Sequence, residues 1–518
     1  MYTTTSLVSL IQCLVLVSAY SNGIDPRDVY EEMEHIMVDN GGTNNDAFVD
    51  AVTPCSNYVG FASNGSIRGE QSSAQWTRIV FHDFVTANVT AGIGGLDASI
   101  AYESERAENA GLFVNDTLQF FLPTVSAYLS MADNIALGIA VSIATCRNST
   151  VDIPVRTGRI DATEAGPSGV PEPTTDLETT LARFEAAGFD QSDTIAATAC
   201  GHSLGRIHYS NFPDIVDESA VTDTNLDGGV GFDSTPSAFD ANVVNEYLNG
   251  TGQQGGLLVT AANVSDRSDY RLYISDNNAT LQSMSEDYAF RTKCFSLFER
   301  MINTVPATVT LSDPVTPLTW KGVDVIMDID STGTVSVSGL IRNLYTTISP
   351  PDTVSYTLTS AAGNSSVQTS NTTSGNGTSL YGSTQYWPFN STIDQGTTSV
   401  NFEDVSYPIN DDIFILPSQS LVNSTAVSVT LRAAALTSLA SSDGMTGVLY
   451  VPTAVQGALN NAIENVTVSM TEYGTAGNYT LYEGSVATTS VARSVISKVV
   501  MGDYASRTLK INLFTSTT

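Results

Sequence analysis

The chain has 518 residues, which is more than a single hydrophobic core usually organises, so its length predicts two domains. It carries 54 acidic and 21 basic residues, and its formal net charge at pH 7 is -33. A surface of this sign repels phosphate backbones and anionic lipid headgroups. The composition therefore argues against nucleic-acid and membrane partners.

The first 22 residues read as a secretory signal peptide. An apolar run from Leu7 to Val17 is followed by the small residues Ser18 and Ala19. No basic residue precedes the run, so an N-terminal anchor or a mis-assigned start is the alternative. No later stretch of the sequence reaches transmembrane length, and we expect a soluble, exported protein.

Glycosylation sequons and cysteines agree with export. Cys13 falls in the predicted signal peptide, which leaves Cys55, Cys146, Cys200 and Cys294. This even number can be fully bridged in an oxidising compartment, in any of three pairings. Asn-x-Ser/Thr sequons are dense and predict a secreted, extracellular glycoprotein. They begin at Asn64, Asn88, Asn115, Asn148, Asn249, Asn263, Asn278, Asn364, Asn371, Asn376, Asn390, Asn423, Asn465 and Asn478.

Residues 25–304 have mainly helical patterning. Apolar residues recur at intervals of three and four, and loops rich in Gly, Pro and Asp separate the periodic segments. The clearest predicted helices are Thr117–Met131, Asp176–Ala187, Ala238–Leu248 and Asp287–Ile302.

The first predicted helix with candidate catalytic residues contains Arg78 and His82. Residues four apart on a helix project from one face. Cleavage of a peroxide needs such a pair, because a neutral imidazole moves a proton between the two oxygens while a fixed cation stabilises the developing negative charge. The alternative is an ordinary helix with an exposed arginine and a core histidine.

A glycine-rich loop follows this helix and brings oxygen ligands together. They form an all-oxygen set of the type that calcium prefers: Asp83, the Gly95 carbonyl, Asp97 and Ser99. An ion there would tie the loop to the helix end beside His82. By itself, however, a glycine-rich turn with an aspartate is usually only a turn.

His202 is the candidate iron ligand. The other histidines are His35, His82 and His208. His82 and His202 have the contexts that suit the two sides of a haem, because His35 lies in a polar early helix and His208 in the turn after Gly205. A metal site made by His202 and His208 is the competing interpretation, but it lacks a third ligand nearby.

A second oxygen-rich set follows His202 in the chain. It predicts a second calcium site, made by Ser203, Asp233, Thr235, the Ala238 carbonyl and Asp240. The alternative is a capped helix N-terminus with proline in the first turn. Further along, Asp276 offers a carboxylate to the other ring nitrogen of His202, which would give the ring imidazolate character.

After Val305 the sequence changes to alternation rich in Thr, Ser and Val, as in 335–339, 354–358 and 427–431. We therefore expect a mainly α domain over residues 23–306, followed by a β-rich, sandwich-like domain of unknown role over residues 307–518. Residues 361–383, rich in Gly, Ser, Asn and Thr, predict a glycosylated loop.

Five motifs occur in a fixed order: Arg-x-x-Phe-His-Asp, Gly-x-Asp-x-Ser, Gly-His-Ser-Leu-Gly, Phe-Asp-Ser-Thr-Pro and Ser-Asp. Over roughly residues 25–306 they resemble the plant-and-fungal haem peroxidase superfamily, and most closely its secreted fungal class II branch. That branch contains lignin, manganese and versatile peroxidases. The resemblance implies one haem b and two Ca²⁺ ions.

The resemblance also implies residue roles. His82 would be the distal acid and base, Arg78 would stabilise the transition state, and His202 would bind the iron. The remaining implied roles are Asn109 orienting His82, Asp276 as the partner of His202, Phe81 and Phe232 beside the haem, and disulfides joining Cys55 to Cys146 and Cys200 to Cys294.

The sequence departs from the manganese-oxidising and lignin-oxidising members. Where the former have two glutamates and an aspartate, this chain has Gln71, Gln75 and His208, so we expect no standard manganese site. We find no tryptophan in the segment where lignin peroxidases carry their surface radical residue.

The resemblance therefore implies a monomeric extracellular peroxidase that reduces hydrogen peroxide and oxidises small phenolic or aromatic donors through ferryl intermediates. The alternative is a catalytically inactive, calcium-stabilised secreted glycoprotein with a wall or adhesion role.

Overall fold

The computed structural model describes residues 24–57, 67–348, 350–363, 365–370, 374–423, 426–439, 444–488 and 494–512. The predicted signal peptide, residues 1–22, lies outside the described residues, as do the sequon asparagines Asn64, Asn364 and Asn371. No helix in the described part is both long and apolar enough to span a bilayer.

The first half of the described chain is mainly helical. Its helices are α1 Pro26–Val38, α2 Ser72–Phe84, α3 Phe113–Phe121, α4 Met131–Cys146, α5 Leu177–Ala186, α6 Gln191–His202, α7 Asn242–Asn249, α8 Leu257–Thr260, α9 Ser268–Tyr273, α10 Ala279–Ser283 and α11 Asp287–Asn303. The two disulfides join Cys55 to Cys146 and Cys200 to Cys294, which confirms the pairing that the resemblance implies.

The second half consists of antiparallel strands. With three short strands of the first half, the strands are β1 Gly41–Gly42, β2 Arg206–His208, β3 Gly229–Gly231, β4 Trp320–Ile329, β5 Val335–Tyr345, β6 Val354–Ser360, β7 Ser365–Ser370, β8 Gly375–Ser379, β9 Gly382–Thr392, β10 Thr397–Phe402, β11 Val405–Pro408, β12 Ile413–Ile415, β13 Leu421–Asn423, β14 Ser428–Leu436, β15 Met445–Ala454, β16 Asn461–Ala476, β17 Tyr479–Ala487, β18 Ser494–Met501, β19 Tyr504–Ala505 and β20 Leu509–Asn512. The predicted fold class, an α domain followed by a β-rich region, is confirmed.

The strands of the second half form three sheets. One has the order β1-β8-β9-β5-β4, and a second has the order β11-β10-β6-β7. The third has the order β12-β14-β17-β16-β15-β18-β19, with β13 beside β14 and β20 beside β18. Val337 of the first sheet and Val400 of the second share a hydrophobic core, as the faces of a sandwich do. Leu431 and Val499 belong to a separate core within the third sheet.

Packing of α4 against α2 sets the position of the helix that carries Arg78 and His82. Every residue of α4 except Thr145 is buried, and the Ser130 hydroxyl caps its first turn by accepting the N–H of Asp133. A Cβ atom at Gly138 of α4 would lie 2.7 Å from the ring of Phe121 and 3.4 Å from that of Trp76. Glycine at this position therefore allows α2 and α3 to approach α4 closely.

Buried charges join α1 to the β-rich half. Arg342 of β5 donates to Glu34 at 2.6 Å and to Asp39 at 3.2 Å, and Lys321 of β4 donates to Glu34 at 2.8 Å. The side chains of Glu34, Asp39 and Arg342 are fully buried. Removing one member of such a network leaves an uncompensated buried charge, so these contacts hold α1 firmly against β4 and β5.

Two local predictions are wrong. The predicted helix Thr117–Met131 is split between α3 and α4, because the backbone becomes extended at Val125 and a new helix, capped by Ser130, starts only at Met131. Residues 361–383, predicted as a loop, contain β7 and β8, since alternating Ser and Thr suit strands with one solvated face. The chain passes from α11 to β4 across residues 304–319, which include the predicted boundary after residue 306.

Candidate active site

A cavity of about 500 Å³ lies within the helical half. Arg78, Phe81 and His82 of α2 line it, and so do His202 of α6 and Phe232 of the segment after β3. Enclosed, largely apolar cavities with a few convergent polar groups are the usual form of cofactor and substrate sites. The two histidines singled out by the sequence therefore share one cavity.

His82 is held as a neutral base by two neighbours. Its Nδ1 lies 2.8 Å from Asn109 Oδ1, and its Nε2 accepts a hydrogen bond from Arg78 Nε at 3.2 Å. Asn109 is itself fixed, because its Nδ2 donates to the carbonyl of Glu103 at 3.1 Å. Burial, followed by the positive charge of Arg78, lowers the pKa of His82 well below its ordinary value. The amide oxygen of Asn109 accepts the proton on His82 Nδ1, and the lone pair of Nε2 therefore faces Arg78.

Arg78 is a buried cation with an aromatic neighbour. Burial lowers its pKa to about 10, and the nearby Glu70 opposes this effect, so the guanidinium stays charged at neutral pH. Its central carbon lies 4.0 Å from the ring centre of Phe113. Burial also raises the pKa of Glu70 to about 7, against the attraction of Arg78. A fixed positive charge beside His82 is therefore a property of the folded cavity.

On the proximal side, His202 contacts Asp269. His202 Nδ1 lies 2.6 Å from Asp269 Oδ2, and the Asp269 side chain is 3% exposed. Phe232 stacks on the imidazole with parallel rings 4.1 Å apart. With Nδ1 bound to the carboxylate, Nε2 is the nitrogen available to a metal.

The prediction that Asp276 is the partner of His202 is wrong. The Asp276 carboxylate accepts the N–H groups of Ala279 and Thr280 at 3.0 and 2.9 Å, and so holds the first turn of α10. Three Ser-Asp pairs occur between 265 and 276, and the pair at 268–269 lies at the start of α9, which packs against α6 and brings Asp269 to His202.

The first predicted calcium set is brought together beside the end of α2. The Asp83 carboxylate accepts the backbone N–H groups of Asp97 and Ile100, both at 3.1 Å, and lies 3.4 Å from Ser99 Oγ. The N–H of Asp97 donates to the Gly95 carbonyl at 2.9 Å. Burial and then the charge of Asp97 raise the pKa of Asp83 well above its ordinary value.

The second predicted set also converges. Ser203 Oγ lies 2.8 Å from the carbonyl of Asp240, and Thr235 Oγ1 lies 3.1 Å from an Asp240 carboxylate oxygen. Ala238 N–H donates to the Thr235 carbonyl at 2.8 Å. Asp233 Oδ2 is buried and has no hydrogen-bond partner among the described residues. Burial raises the pKa of Asp233 to about 7, and the charge of Asp240 adds to this effect.

Each set contains two carboxylates together with hydroxyl and carbonyl oxygens. Among the residues that the structure describes, no group of three or more His, Cys, Asp or Glu side chains could hold a metal ion.

Residues 61–291 match the protein-family model described as Peroxidase. Over these residues the helical half is similar in sequence to the plant and fungal haem peroxidase superfamily. Manganese peroxidase 3 of Phlebia radiata is 31% identical over 175 residues, which is 32% of this chain and 44% of that protein. Manganese peroxidase 2 of the same fungus is 28% identical over 207 residues, or 38% of this chain and 50% of that protein.

A WSC domain-containing protein of Arthroderma benhamiae is 39% identical over 329 residues. The match includes 63% of this chain and 44% of that protein. The chain thus spans half or less of the length of each of these three relatives.

Within the region that matches the peroxidase model, the three residues that depart from the manganese-oxidising pattern make other contacts. Gln71 Oε1 accepts a hydrogen bond from Arg206 at 2.8 Å, and Gln75 Nε2 donates to Glu70 at 3.2 Å. His208 Nε2 lies 3.9 Å from Glu70 Oε2. Two neutral amides in these places carry no charge to attract a divalent cation.

Sequence reasoning missed three residues of the peroxidase cavity. Asp269 could have been found only as one of the three Ser-Asp pairs. Glu70 precedes α2 and lies in no recognisable motif. Phe113 contacts both Arg78 and His82, but its sequence context is that of an ordinary helical core residue.

Proposed function

We propose that this protein is a secreted haem peroxidase, which reduces hydrogen peroxide and oxidises small phenolic or aromatic donors. One observation carries the proposal. A single cavity is lined both by a neutral histidine paired with a buried arginine and by a second histidine bound to a buried aspartate. The first pair suits cleavage of an O–O bond, and the second suits an iron ligand.

The residues of the cavity fit haem b. The walls include Phe81, Phe184 and Phe232, which suit the faces of a porphyrin, and His202 Nε2 is the nitrogen left free to ligate iron. When bound, haem supplies the iron on which peroxide is reduced. Asp269 accepts the Nδ1 proton of His202, which makes the imidazole a stronger electron donor.

The distal residues handle protons and charge. His82 Nε2 accepts a proton from the arriving peroxide and returns it to the departing oxygen, since its lowered pKa keeps the ring neutral beforehand. Arg78 stabilises the negative charge that grows on the departing oxygen. Asn109 holds the ring orientation, because it accepts the Nδ1 proton.

The remaining roles are also proposals. Residues 1–22 are a signal peptide, residues 23–306 are the haem peroxidase domain, and residues 307–518 are a β-rich domain of unknown role. Two calcium ions bind the Asp83 and Asp233 sets, supported by the unpartnered buried oxygen of Asp233 and by the like charges gathered in each set. The protein acts as an extracellular, glycosylated monomer.

The purified full chain tests the proposal. After haem addition, we expect a Soret band and peroxide-dependent oxidation of a small phenol. His82→Leu should keep the Soret band and lose about 10²- to 10⁴-fold in peroxide reactivity, which is the range for general acid–base catalysis. A chain that takes up no haem and oxidises no phenol would refute the proposal and favour the non-catalytic glycoprotein. Unchanged reactivity in His82→Leu would remove its assigned role.

A further inference from the structure

A turn of the β-rich half contacts the helical half near the start of α4. It consists of residues 455–460 between β15 and β16, and we call it the docking turn. Leu459 donates its N–H to the carbonyl of Ala101 at 2.9 Å, and Asn460 Nδ2 donates to Asp161 Oδ2 at 2.9 Å. Asn460 is 5% exposed, and Leu459 packs against the main core of the helical half. Polar and apolar contacts together therefore fix this turn to the helical half.

Both acceptors of the docking turn are joined to one loop of the helical half, residues 97–102, which we call the distal loop. Ala101 belongs to this loop. Asp161 precedes Ala162, whose N–H donates to the carbonyl of Asp97 at 2.7 Å. The docking turn thus holds the distal loop directly at Ala101 and, through residues 161–162, at Asp97.

The distal loop is fixed in turn to the end of α2. The carboxylate of Asp83, the residue after His82, accepts three backbone N–H groups of the loop. They come from Asp97 and Ile100, both at 3.1 Å, and from Ala98 at 2.8 Å. The Asp83 side chain is buried, so water does not replace these donors when they leave. A displacement of the distal loop therefore acts on the residue that adjoins His82.

The backbone of the distal loop needs such contacts. Ala98 is fully buried and has φ +58° and ψ 20°, in the left-handed region that residues with a Cβ atom seldom adopt. An alanine keeps this conformation only where the surrounding structure requires it. The contacts made by Asp83 and by the docking turn supply that requirement.

Asp161 also connects the docking turn to α4. Its carboxylate accepts the N–H groups of Met131 and Ala132, both at 2.9 Å, in the first turn of that helix. Asn460 is the third donor to the same carboxylate. Since α4 packs against α2, Asn460 adjoins both structures that position α2, namely α4 and the distal loop.

We propose that Asn460 is a positioning residue for His82, and that the docking turn gives the β-rich half a role in the reaction by holding the distal loop against the end of α2. The effect on the reaction rests on the proposed function, which leaves the role of residues 307–518 open. The effect on the loop does not depend on haem or on turnover.

Hydrogen–deuterium exchange of the full chain, followed by peptide mass spectrometry, tests the effect on the loop. Asn460→Ala removes a hydrogen bond to a charged acceptor. We expect the N–H of Leu459, which reports docking directly, to exchange about 10- to 100-fold faster. The N–H groups of the distal loop should also exchange faster, because the turn no longer holds Ala101 and Asp97.

Asn410→Ala is the matched control. It makes the same change in the β-rich half, where Asn410 Nδ2 donates to the carbonyl of Ala505 at 3.0 Å. We expect exchange in the docking turn and in the distal loop to stay as in the unaltered chain. Peptides from α11 serve as an internal reference in both variants, since general loss of stability would accelerate their exchange as well.

The haem-loaded chain tests the effect on the reaction. We expect Asn460→Ala to slow the reaction with hydrogen peroxide about 10-fold, within the range of up to about 10²-fold that small displacements of catalytic groups cause. Haem affinity, measured by Soret titration, should stay unchanged, because His202 and Asp269 come from α6 and α9 on the proximal side. A merely structural role would weaken haem binding together with the peroxide reaction.

The outcomes separate this inference from the proposed function. Faster exchange at Leu459 with unchanged exchange in the distal loop would overturn the inference, and so would equal acceleration in α11. A haem affinity that falls as much as the peroxide rate, or an unchanged peroxide rate, would remove the positioning role of Asn460. A chain that takes up no haem would overturn the proposed function, and the exchange data would still decide whether the docking turn holds the distal loop.

Discussion

Replacing Asp269 with asparagine tests the proximal side of the cavity. The contact to be weakened is the 2.6 Å pair between His202 Nδ1 and the buried Asp269 carboxylate. Asparagine keeps the size and an acceptor oxygen but removes the negative charge. Hydrogen bonds to charged groups contribute about 1.5–3 kcal/mol and neutral ones about 0.5–1.5 kcal/mol, so the contact loses about 1 kcal/mol or more.

Partners of metal-bound histidines typically change metal affinity or activity by about 10- to 100-fold when they are replaced. We therefore expect Asp269→Asn to weaken haem binding or slow the peroxide reaction within that range. The first quantity is measured by titrating the haem-free chain with haem and following the Soret absorbance. The second is measured by stopped-flow mixing of the loaded chain with hydrogen peroxide.

Asp276→Asn is the matched control, since it makes the same chemical change in the carboxylate that the sequence favoured. Asparagine holds a helix start about as well as aspartate does, so the contacts of Asp276 with Ala279 and Thr280 should survive. We expect haem binding and peroxide reactivity close to those of the unaltered chain. Equal losses in the two variants, or a greater loss in Asp276→Asn, would refute the assignment of Asp269.

Three further outcomes are expected. Arg342→Met should lower the free energy of unfolding by about 3–5 kcal/mol in denaturant titrations, because Glu34 and Asp39 stay buried and lose the cation that bridges them, and a loss below 1 kcal/mol would contradict that reasoning. Burial alone would raise the pKa of Asp39, but the hydrogen bond with His35 and the charge of Arg342 hold it at about 2, below the ordinary 3.8. The stabilisation is therefore complete above about pH 4 and is lost as the pH falls through 2, so the difference in stability between the unaltered chain and Asp39→Asn should shrink from pH 4 to pH 2 in unfolding curves. Steady-state assays should detect oxidation of a small phenol but not of a manganous salt, and manganese turnover would overturn the interpretation of Gln71 and Gln75.

The charge network around Arg342 is also the part of the fold that the sequence could least predict. Glu34 and Asp39 read as ordinary polar residues of an early helix, and Arg342 reads as a charge within a strand about 300 residues later. Their burial depends on α1 lying against β4 and β5, and helical periodicity contains no information about which distant strand covers a helix. Strand patterning likewise does not show which strands pair, so the sequence predicted one sandwich where the structure has several sheets with separate cores.

The sequence by itself determined which side chains of the helical half are candidates for the functional site. A four-residue spacing places Arg78 and His82 on one helical face whatever surrounds them, and the ordered motifs identify His202 and the two oxygen-rich sets. Only the tertiary structure decided which carboxylate reaches His202. The three Ser-Asp pairs cannot be told apart in the sequence. The packing of α9 on α6 brings the Asp269 oxygen to 2.6 Å from the imidazole of His202. A hydrogen bond depends on the distance between its atoms, and tertiary packing sets that distance.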